Sequence, residues 1–376
     1  MIRPKLPGIG RSGRTASHRW VQLSFDAPRT SIGYDRGLRV DGIDLWLDPH
    51  VRRPVAYVSH GHSDHCRAHG HAYVTAETAD FYRLRTGMSA LTILHPGVPM
   101  AMGTHEVELF PAGHVLGSSQ ARVRDLGTGQ VIVYTGDFKL RASHTLPTAP
   151  ILKCDTLVME CTYGAPRYRF PPTEQVIGDL LEWVGATLSD GAVPVVCGYA
   201  LGKAQEAMAI LARAGHAVAI HPSVAPYAAT YVKHGVDLGE YTVLPEGPEW
   251  LTGAAVGAVV VCPPHLVKSL PAATPDVRVV VLTGWAVDGG APWRRNGPRA
   301  LPLSDHAGFD DLAQAVVAAL GNPGALAARG HFLGIAHARD LAGKAVVGRA
   351  LAAEHLLDRG RRLSKQRGHA HGHDLR

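Results

Sequence analysis

The feature of the sequence that most constrains the fold is a series of short apolar runs, each of which ends in polar or glycine residues. Up to residue 164 these runs are IDLWLDP, PVAYVSH, VELFPAGH, QVIVYTGD and TLVMECTYG. Each has the length of a strand and is rich in the residues that favour β-structure. The chemically active side chains stand at the ends of these runs, where α/β-type sheets place functional sites. The sequence therefore predicts a site along one edge of a sheet.

The second half of the chain alternates between helical and strand patterns. TEQVIGDLLEWV and KAQEAMAILARAG have the spacing of amphipathic helices. Buried strands are indicated by VPVVCG, AVAIH, AVVVCPP and VRVVVLTGW. This alternation predicts a second α/β unit with a parallel sheet. The later stretch LPLSDHAGFDDLAQAVVAAL returns to a strand, a loop and a helix, and we expect it to rejoin the first unit.

These patterns divide the chain into five predicted segments. They are a basic, flexible N-terminus (1–20), the first part of the first domain (21–165), an inserted α/β domain (166–300), a return segment of the first domain (301–357), and a basic, histidine-rich tail (358–376). The first 20 residues contain five basic residues and no acidic one, and the tail has many charges and few apolar residues. Such composition is typical of flexible segments.

Composition limits the class of protein. Five scattered cysteines form no C-x-x-C pair, which indicates reduced thiols in a cytoplasmic protein rather than a disulfide framework. No apolar run approaches the roughly 20 residues that a membrane span needs. The net charge of +6 is a modest excess that by itself favours an anionic partner only slightly. We therefore expect a cytoplasmic protein with no membrane partner.

The stretch VSHGHSDHCRAHG concentrates metal-capable side chains directly after an apolar run. It contains the pattern H-x-H-x-D-H, formed by His60, His62, Asp64 and His65. Imidazole and carboxylate groups are the ligands of catalytic zinc, and two metals about 3.5–4 Å apart need a shared ligand. The stretch therefore predicts part of a metal centre that other strand ends must complete.

Two later strand ends supply the missing ligands. His114 ends the run VELFPAGH, and Asp137 ends QVIVYTGD. In the predicted centre, His60, His62 and His114 hold one Zn²⁺, Asp64 and His65 hold a second, and Asp137 bridges the two. Mn²⁺ or Mg²⁺ are alternatives to zinc.

The motifs HGHSDH, AGHVLGS and TGD, in that order, resemble those of the metallo-β-lactamase superfamily. IDLWLDP resembles the superfamily's first motif, which implies that Asp48 orients a metal ligand. ECTYG, with Glu160, and SDHAG, with His306, resemble the additional motifs of the β-CASP nucleases. The resemblance covers about residues 37–345. It implies an α/β fold, namely a metallo-β-lactamase αββα sandwich with an inserted β-CASP cap domain.

The resemblance also implies catalytic roles. In the β-CASP nucleases the glutamate supports a histidine that donates a proton to the leaving oxygen, while metal-activated water attacks the phosphorus. Carried over, Glu160 would orient His306, and Asp64 would belong to the same catalytic set. The expected reaction is phosphodiester hydrolysis in a nucleic acid.

The segment GYALGKAQEAMAIL resembles the branch of bacterial ligase-associated DNA exonucleases. The glycine-containing loop before this helix offers free N–H groups that suit a phosphate, which points to Gly198, Tyr199, Gly202 and Lys203. Thr283 and Gly284 would line the same cleft. The branch implies an exonuclease that processes DNA ends in repair, with a DNA ligase and a helicase as partners.

One segment departs from the family pattern. The family's last motif is a strand ending in His-Gly, whose histidine completes the second metal site, whereas the corresponding segment here is ALAARGHFLG. Either Arg329 replaces that histidine or His331 supplies it from two residues later. The sequence therefore leaves the number of metals, one or two, open.

Three other functions remain open at this point. An RNA-processing β-CASP ribonuclease would use the same metal chemistry. A small-molecule metallo-hydrolase would need neither Glu160 nor His306 nor the cap. An inactive nucleic-acid-binding homologue would have lost part of the centre, as ALAARGH permits. Nuclease activity on DNA is the leading hypothesis, with the ribonuclease as its first alternative.

Overall fold

The computed structural model describes residues 32–247, 250–253, 257–269, 276–287, 299–321 and 331–335. The two predicted flexible ends and Arg329 lie outside these ranges. Three six-stranded sheets and five α-helices are found within them.

The first sheet contains six strands in sequential order. They are β1 (Ile32–Tyr34), β2 (Leu38–Val40), β3 (Leu45–Leu47), β4 (Val55–Tyr57), β5 (His71–Val74) and β6 (Leu91–Ile93). Strands β1 to β3 pair antiparallel, and β3 to β6 pair parallel. Helix α1 (Ala76–Thr86) covers one face, where Ala79 and Tyr82 pack on Val58, Ala72 and Val74.

The second sheet has the order β18-β11-β10-β9-β8-β7. Its strands are β7 (Met100–Met102), β8 (His105–Pro111), β9 (Ser119–Asp125), β10 (Val131–Tyr134), β11 (Thr156–Glu160) and β18 (His331–Ile335). Helix α5 (Phe309–Leu320) packs on one face through Leu312 and Val316, which belong to one apolar cluster with Val133 and Leu157.

The two sheets pack against each other through a shared apolar core. This core joins Leu45, Leu47 and Tyr57 of the first sheet to Leu109 and Ile132 of the second. With α1 on one outer side and α5 on the other, the order of layers is helix, sheet, sheet, helix. After the third sheet, α5 and β18 return the described chain to this four-layered unit.

The third sheet is entirely parallel and has the order β14-β13-β15-β12-β16-β17. Its strands are β12 (Val193–Cys197), β13 (Val218–Ile220), β14 (Tyr241–Val243), β15 (Val259–Cys262), β16 (Val277–Leu282) and β17 (Arg299–Leu301). Helices α2 (Thr173–Ser189), α3 (Lys203–Arg213) and α4 (Ala225–Lys233) alternate with them. Short 3₁₀ helices occupy Trp250–Gly253, Pro264–Ser269 and Gly284–Val287.

Helix α3 connects the third sheet to the four-layered unit. Its residues Met208 and Leu211 belong to the same apolar cluster as Val115 and Leu116, which follow β8. This packing brings the loop between β12 and α3 against the loop that follows β8. A site at the ends of the first two sheets is therefore covered by the start of α3.

The strands expected from the apolar runs are present: the five runs before residue 165 overlap β3, β4, β8, β10 and β11. Among the helices of the described ranges, none is both long and apolar enough to cross a membrane.

Candidate metal centre

The candidate ligands follow the ends of strands, as the sequence predicted. His60, His62 and His65 lie in the loop after β4, whereas His114 and Asp137 follow β8 and β10. Two glycines permit the tight turns that aim the last two side chains. Gly113 has φ +71°, and a Cβ there would meet the Lys139 carbonyl oxygen at 2.6 Å. Gly136 has φ +55°, a left-handed conformation that disfavours other residues.

Three imidazoles and one carboxylate come together at the ends of these strands. His62 Nδ1 lies 3.1 Å from His60 Nε2 and 2.9 Å from His114 Nε2. Asp137 Oδ2 lies 3.6 Å from His60 Nε2 and 3.7 Å from His114 Nε2. All four ligand atoms lie within 4.8 Å of one another. These four residues are the three histidines that were predicted to hold the first metal and the aspartate that was predicted to bridge the two metals.

This donor set fits a divalent metal. Burial lowers the pKa of His60 and His62 and lowers that of His114 to about 3, so the three rings are neutral. Each neutral imidazole carries a proton on only one of its two ring nitrogens, and the other nitrogen has a lone pair. In this cluster, ring nitrogens with lone pairs are therefore left facing one another. A cation held by these nitrogens would use those lone pairs, and three histidines with a carboxylate are typical zinc ligands.

Asp48 holds His65 in the orientation that a second metal position needs. His65 Nδ1–H donates to Asp48 Oδ2 at 2.7 Å, and Asp48 also accepts from the Ser59 N–H at 2.7 Å and the Tyr134 hydroxyl at 2.8 Å. This leaves His65 Nε2 on the side of Asp137, 3.5 Å from its Oδ2. Asp48 therefore lies behind the candidate ligand His65.

Asp137 lies between the two predicted metal positions. Burial alone would raise the pKa of its carboxyl, but neighbouring histidines, His65 first, hold that pKa well below its usual range. The carboxylate is therefore ionised, and one of its oxygens lies within 3.7 Å of nitrogens from both ligand sets. This geometry suits a bridging ligand.

Asp64 differs from the other residues of the histidine-rich stretch. Its side chain is half-buried and its charge acts on the pKa of His62. In the described part of the chain, no cluster of three or more metal-capable atoms includes Asp64. The structure thus brings His65 and Asp137 together, whereas Asp64 belongs to none of these clusters of the described residues.

Glu160 and His306 form a buried pair beside the histidine cluster. His306 Nδ1–H is shared between the Glu160 oxygens at 2.9 and 3.0 Å, and Glu160 Oε1 also accepts from the Phe138 N–H at 2.8 Å. The His306 ring lies 4.5 Å from that of His114, centroid to centroid. Burial alone would lower the pKa of His306, but the carboxylates, Glu160 first, raise it to about 9. A protonated imidazole thus lies next to the candidate metal position.

The loop from Gly198 to Lys203 lies directly against the ligands. The Leu201 carbonyl accepts from His62 Nε2 at 3.1 Å, which leaves His62 Nδ1 for the cluster. Gly202 has φ +95°, and a Cβ there would meet Val115 Cγ1 at 2.6 Å. Tyr199 is 59% exposed at the tip of this loop.

Lys203 differs from its predicted role as a phosphate ligand. Its side chain is 3% exposed, and its ammonium group forms an ion pair with the equally buried Asp305. A phosphate contact would require this buried pair to break. Sequence reasoning missed Asp305, although it stands next to His306 in the motif SDHAG.

Thr283 and Gly284 follow β16, on the side of the site that carries an aromatic cluster. Gly284 packs so closely on Tyr163 that a Cβ would meet the hydroxyl oxygen at 2.4 Å. The Tyr163 ring lies 5.9 Å from that of His306, centroid to centroid. The segment with Thr283 and Gly284 therefore lies beside Tyr163, and Tyr163 in turn lies beside His306.

The strand register does not support His331 as a ligand. In β18, His331 pairs with Thr156, whereas Ile335 pairs with Glu160 at the site end of β11. Four residues of strand separate the two positions, which is about 13 Å. The histidine that follows the site end in the sequence is His337, two residues after Ile335, and it lies outside the described residues.

No protein-family profile matches the chain, but several curated proteins do. A "Probable DNA ligase" from Opitutus terrae is 34% identical over 290 residues, 76% of this chain and 28% of that protein. "Transcription termination factor FttA" from Methanocaldococcus jannaschii is 27% identical over 51% of this chain and 39% of that protein. An "RNase J-like protein" of the same organism is 29% identical over 41% of this chain and 42% of that protein. The chain thus spans less than half the length of each of these relatives.

A solved structure shares the fold. It is the crystal structure of a protein of unknown function from Enterococcus faecalis V583, with a TM-score of 0.51 and 17% sequence identity. The match covers 70% of this chain and 73% of that chain.

Proposed function

We propose that this chain is a metal-dependent phosphodiesterase of the metallo-β-lactamase/β-CASP nuclease family that shortens DNA from its ends. The observation that carries the proposal is the cluster of His60, His62, His114 and Asp137 beside the Glu160–His306 pair. The cluster can hold a divalent cation, and the pair can supply a proton. Hydrolysis of a phosphodiester uses both.

The relatives support the family and the reaction class. One relative is named as RNase J-like and another as the transcription termination factor FttA, and their similarity to this chain favours a hydrolase that acts on nucleic acid. The protein named a probable DNA ligase matches a larger share of this chain, which favours DNA as the substrate and a setting beside a ligase. A helicase as a second partner comes from the family resemblance alone.

The side chains have distinct roles in this proposal. His60, His62, His114 and Asp137 would hold one metal, and His65 with Asp137 a second. When bound, Zn²⁺ or a similar cation would polarise a phosphate oxygen and lower the pKa of water. Asp48 fixes the orientation of His65 through a 2.7 Å hydrogen bond.

Proton transfer falls to His306. Glu160 accepts from its Nδ1 and keeps the ring protonated at neutral pH, so that Nε2–H can be donated to the leaving oxygen of the cleaved ester. The Tyr163 ring lies 5.9 Å from this imidazole, centroid to centroid, and the His306 side chain is 17% exposed. Tyr199, in the loop before α3, is 59% exposed and would be available to contact a nucleic acid.

An RNA-processing nuclease is the second candidate. The names of FttA and the RNase J-like protein favour RNA, and the same metal cluster would cut either polymer. DNA and RNA differ at the 2′-hydroxyl, so substrates of matched sequence separate the two hypotheses.

The test is a cleavage assay on end-labelled single-stranded DNA, double-stranded DNA and RNA of the same sequence, with Zn²⁺, Mn²⁺ or Mg²⁺. Asp137→Ala removes the bridging carboxylate. His71→Ala is the matched control, because His71 hydrogen-bonds Thr92 and belongs to no metal-capable group of the described residues. Stepwise shortening of DNA by the wild type and by His71→Ala, absent in Asp137→Ala, is expected.

Other outcomes identify the alternatives. Cleavage of RNA alone would establish the ribonuclease. Binding of nucleic acid without cleavage under any metal would indicate an inactive homologue. Hydrolysis of thioesters or lactams without cleavage of either polymer would indicate a small-molecule hydrolase.

A further inference from the structure

Two buried ion pairs join helix α3 to the four-layered unit. Lys203, the first residue of the helix, pairs with Asp305, and Glu206, one turn later, pairs with Lys139 at 3.2 Å. All four side chains are at most 5% exposed. Burying two charges has a large desolvation cost, so stability alone is a weak explanation for a buried ion pair. Within the described residues, the Lys203 pair is the one whose members hydrogen-bond a candidate metal ligand, through the Asp305 carbonyl and His114.

Asp305 links Lys203 to a metal ligand through its backbone. The Asp305 carbonyl accepts a hydrogen bond from His114 Nδ1–H at 2.8 Å. This bond sets the tautomer of His114 and leaves Nε2 facing His62 Nδ1 at 2.9 Å. The position of this carbonyl therefore determines whether His114 can present its lone pair to a metal.

Asp305 also precedes His306, so the same anchor holds the proton donor. Asp305 Oδ1 lies 3.8 Å from His306 Nε2, and the His306 ring lies against that of His114 at an interplanar angle of 52°. The Ser304 hydroxyl accepts from the His306 N–H at 3.0 Å, which keeps the segment tightly turned. One short segment thus controls two side chains of the site.

Hydrogen bonds also hold the loop that precedes Lys203. The Gly202 N–H donates to Gln205 Oε1 at 2.7 Å, and Gln205 Nε2 donates to the Ala200 carbonyl at 2.9 Å. The carbonyl of Leu201, in the same loop, accepts from His62 Nε2. The start of α3 therefore supports His62 directly and His114 through Asp305.

We propose that the Lys203–Asp305 ion pair is a positioning pair, by which the start of α3 holds His114 and His306 in register with the metal centre. Lys203 does not contact the substrate in this arrangement, because its ammonium group is buried against Asp305. The inference rests on the metal centre of the proposed function and goes beyond it, since it assigns the geometry of the centre to the inserted α/β unit.

The test measures metal affinity without any nucleic acid. Zn²⁺ is titrated into metal-free protein in competition with a chromogenic chelator, and the absorption spectrum of bound Co²⁺ reports ligand geometry. Lys203→Met and Asp305→Asn should each weaken Zn²⁺ binding about 10- to 100-fold, the usual effect of removing a group that orients a ligand. The double variant should lose no more than either single variant, because both changes break one interaction.

Glu206→Gln is the matched control. It breaks the other buried pair on the same helix, whose side chains hydrogen-bond no metal ligand in the described ranges. It should lower the melting temperature while leaving Zn²⁺ affinity and the Co²⁺ spectrum as in the wild type. Lys203→Arg, which keeps the charge, should retain more affinity than Lys203→Met. The double variant also guards against misfolding, because it leaves no unpaired buried carboxylate.

Several results would overturn the proposal. They are wild-type Zn²⁺ affinity in Lys203→Met, equal losses in Lys203→Met and Glu206→Gln, or additive losses in the double variant. Unchanged Zn²⁺ affinity with weaker, less salt-dependent DNA binding would make Lys203 a phosphate contact instead. Loss of Zn²⁺ affinity in Lys203→Met with no nuclease activity in the wild type would support the positioning pair and refute the proposed function.

Discussion

The Glu160→Gln substitution tests the link between geometry and proton transfer most directly. It removes one charge and changes the shape of the side chain very little. A glutamine oxygen at the Oε1 position can still accept from the Phe138 N–H and from His306 Nδ1, which lie 2.8 and 3.0 Å from that atom. The substitution should therefore leave the fold intact and act mainly on the protonation of His306.

The size of the effect follows from the surroundings of His306. Its pKa is raised to about 9 in spite of burial, with Glu160 as the largest favourable influence. An adjacent opposite charge is usually worth about 1–3 pKa units. Loss of about two units would bring the pKa near 7, so the protonated fraction at pH 7.5 would fall from nearly all to about one quarter.

The same shift predicts how stability depends on pH. The folded-state pKa of His306 lies above the ordinary value of 6.5. The ion pair therefore stabilises the fold fully below about pH 6.5, and this contribution is lost as the pH rises through about 9. In Glu160→Gln this stabilisation should be smaller and should disappear at lower pH.

The assay is an NMR titration of the histidine rings in metal-free protein, with His306→Ala used to assign the signal. Asp310→Asn is the control, because it removes an exposed carboxylate that pairs with Arg169 near the start of the same helix α5. We expect the His306 midpoint to fall in Glu160→Gln and to stay unchanged in Asp310→Asn. In metal-loaded protein the high-pH limb of the cleavage profile should move to lower pH. A His306 titration that is the same in Glu160→Gln and in the wild type would refute this reasoning.

Four further substitutions test the rest of the site. Asp137→Ala should abolish binding of both metals, because one oxygen faces both ligand sets; full metal content in this variant would contradict a bridging role. His306→Ala should keep the metal content and slow cleavage by a factor of about 10² to 10⁴, the usual value of general acid catalysis; loss of metal would make His306 a ligand. Asp48→Asn should lower the free energy of unfolding by about 3 kcal/mol, measured by urea denaturation, because an amide cannot accept from all the donors around this buried carboxylate. His331→Ala should leave the metal content measured by mass spectrometry unchanged, because β18 begins at the far end from the site; a lost metal ion would show that the register argument fails.

The sequence by itself determined the strands, their ends and most of the candidate ligand set. Apolar periodicity is a local signal, and the residues that follow a buried strand meet at one edge of a sheet. For this reason His60, His62, His114 and Asp137 could be placed together without coordinates. The family resemblance predicted that Glu160 orients His306, and the structure shows a hydrogen bond between these two side chains.

The tertiary structure alone decided the contacts between distant segments. The position of His331 depends on the register of β18 against β11, which no local pattern encodes. The partner of Lys203 depends on how helix α3 packs on the four-layered unit, which brings together residues that are 102 positions apart. A glycine-containing loop before a helix predicts a phosphate site equally well whether its lysine is exposed or buried. Burial and long-range packing are properties of the folded chain. Here they place Lys203 against Asp305 and the start of α3 against the candidate metal ligands.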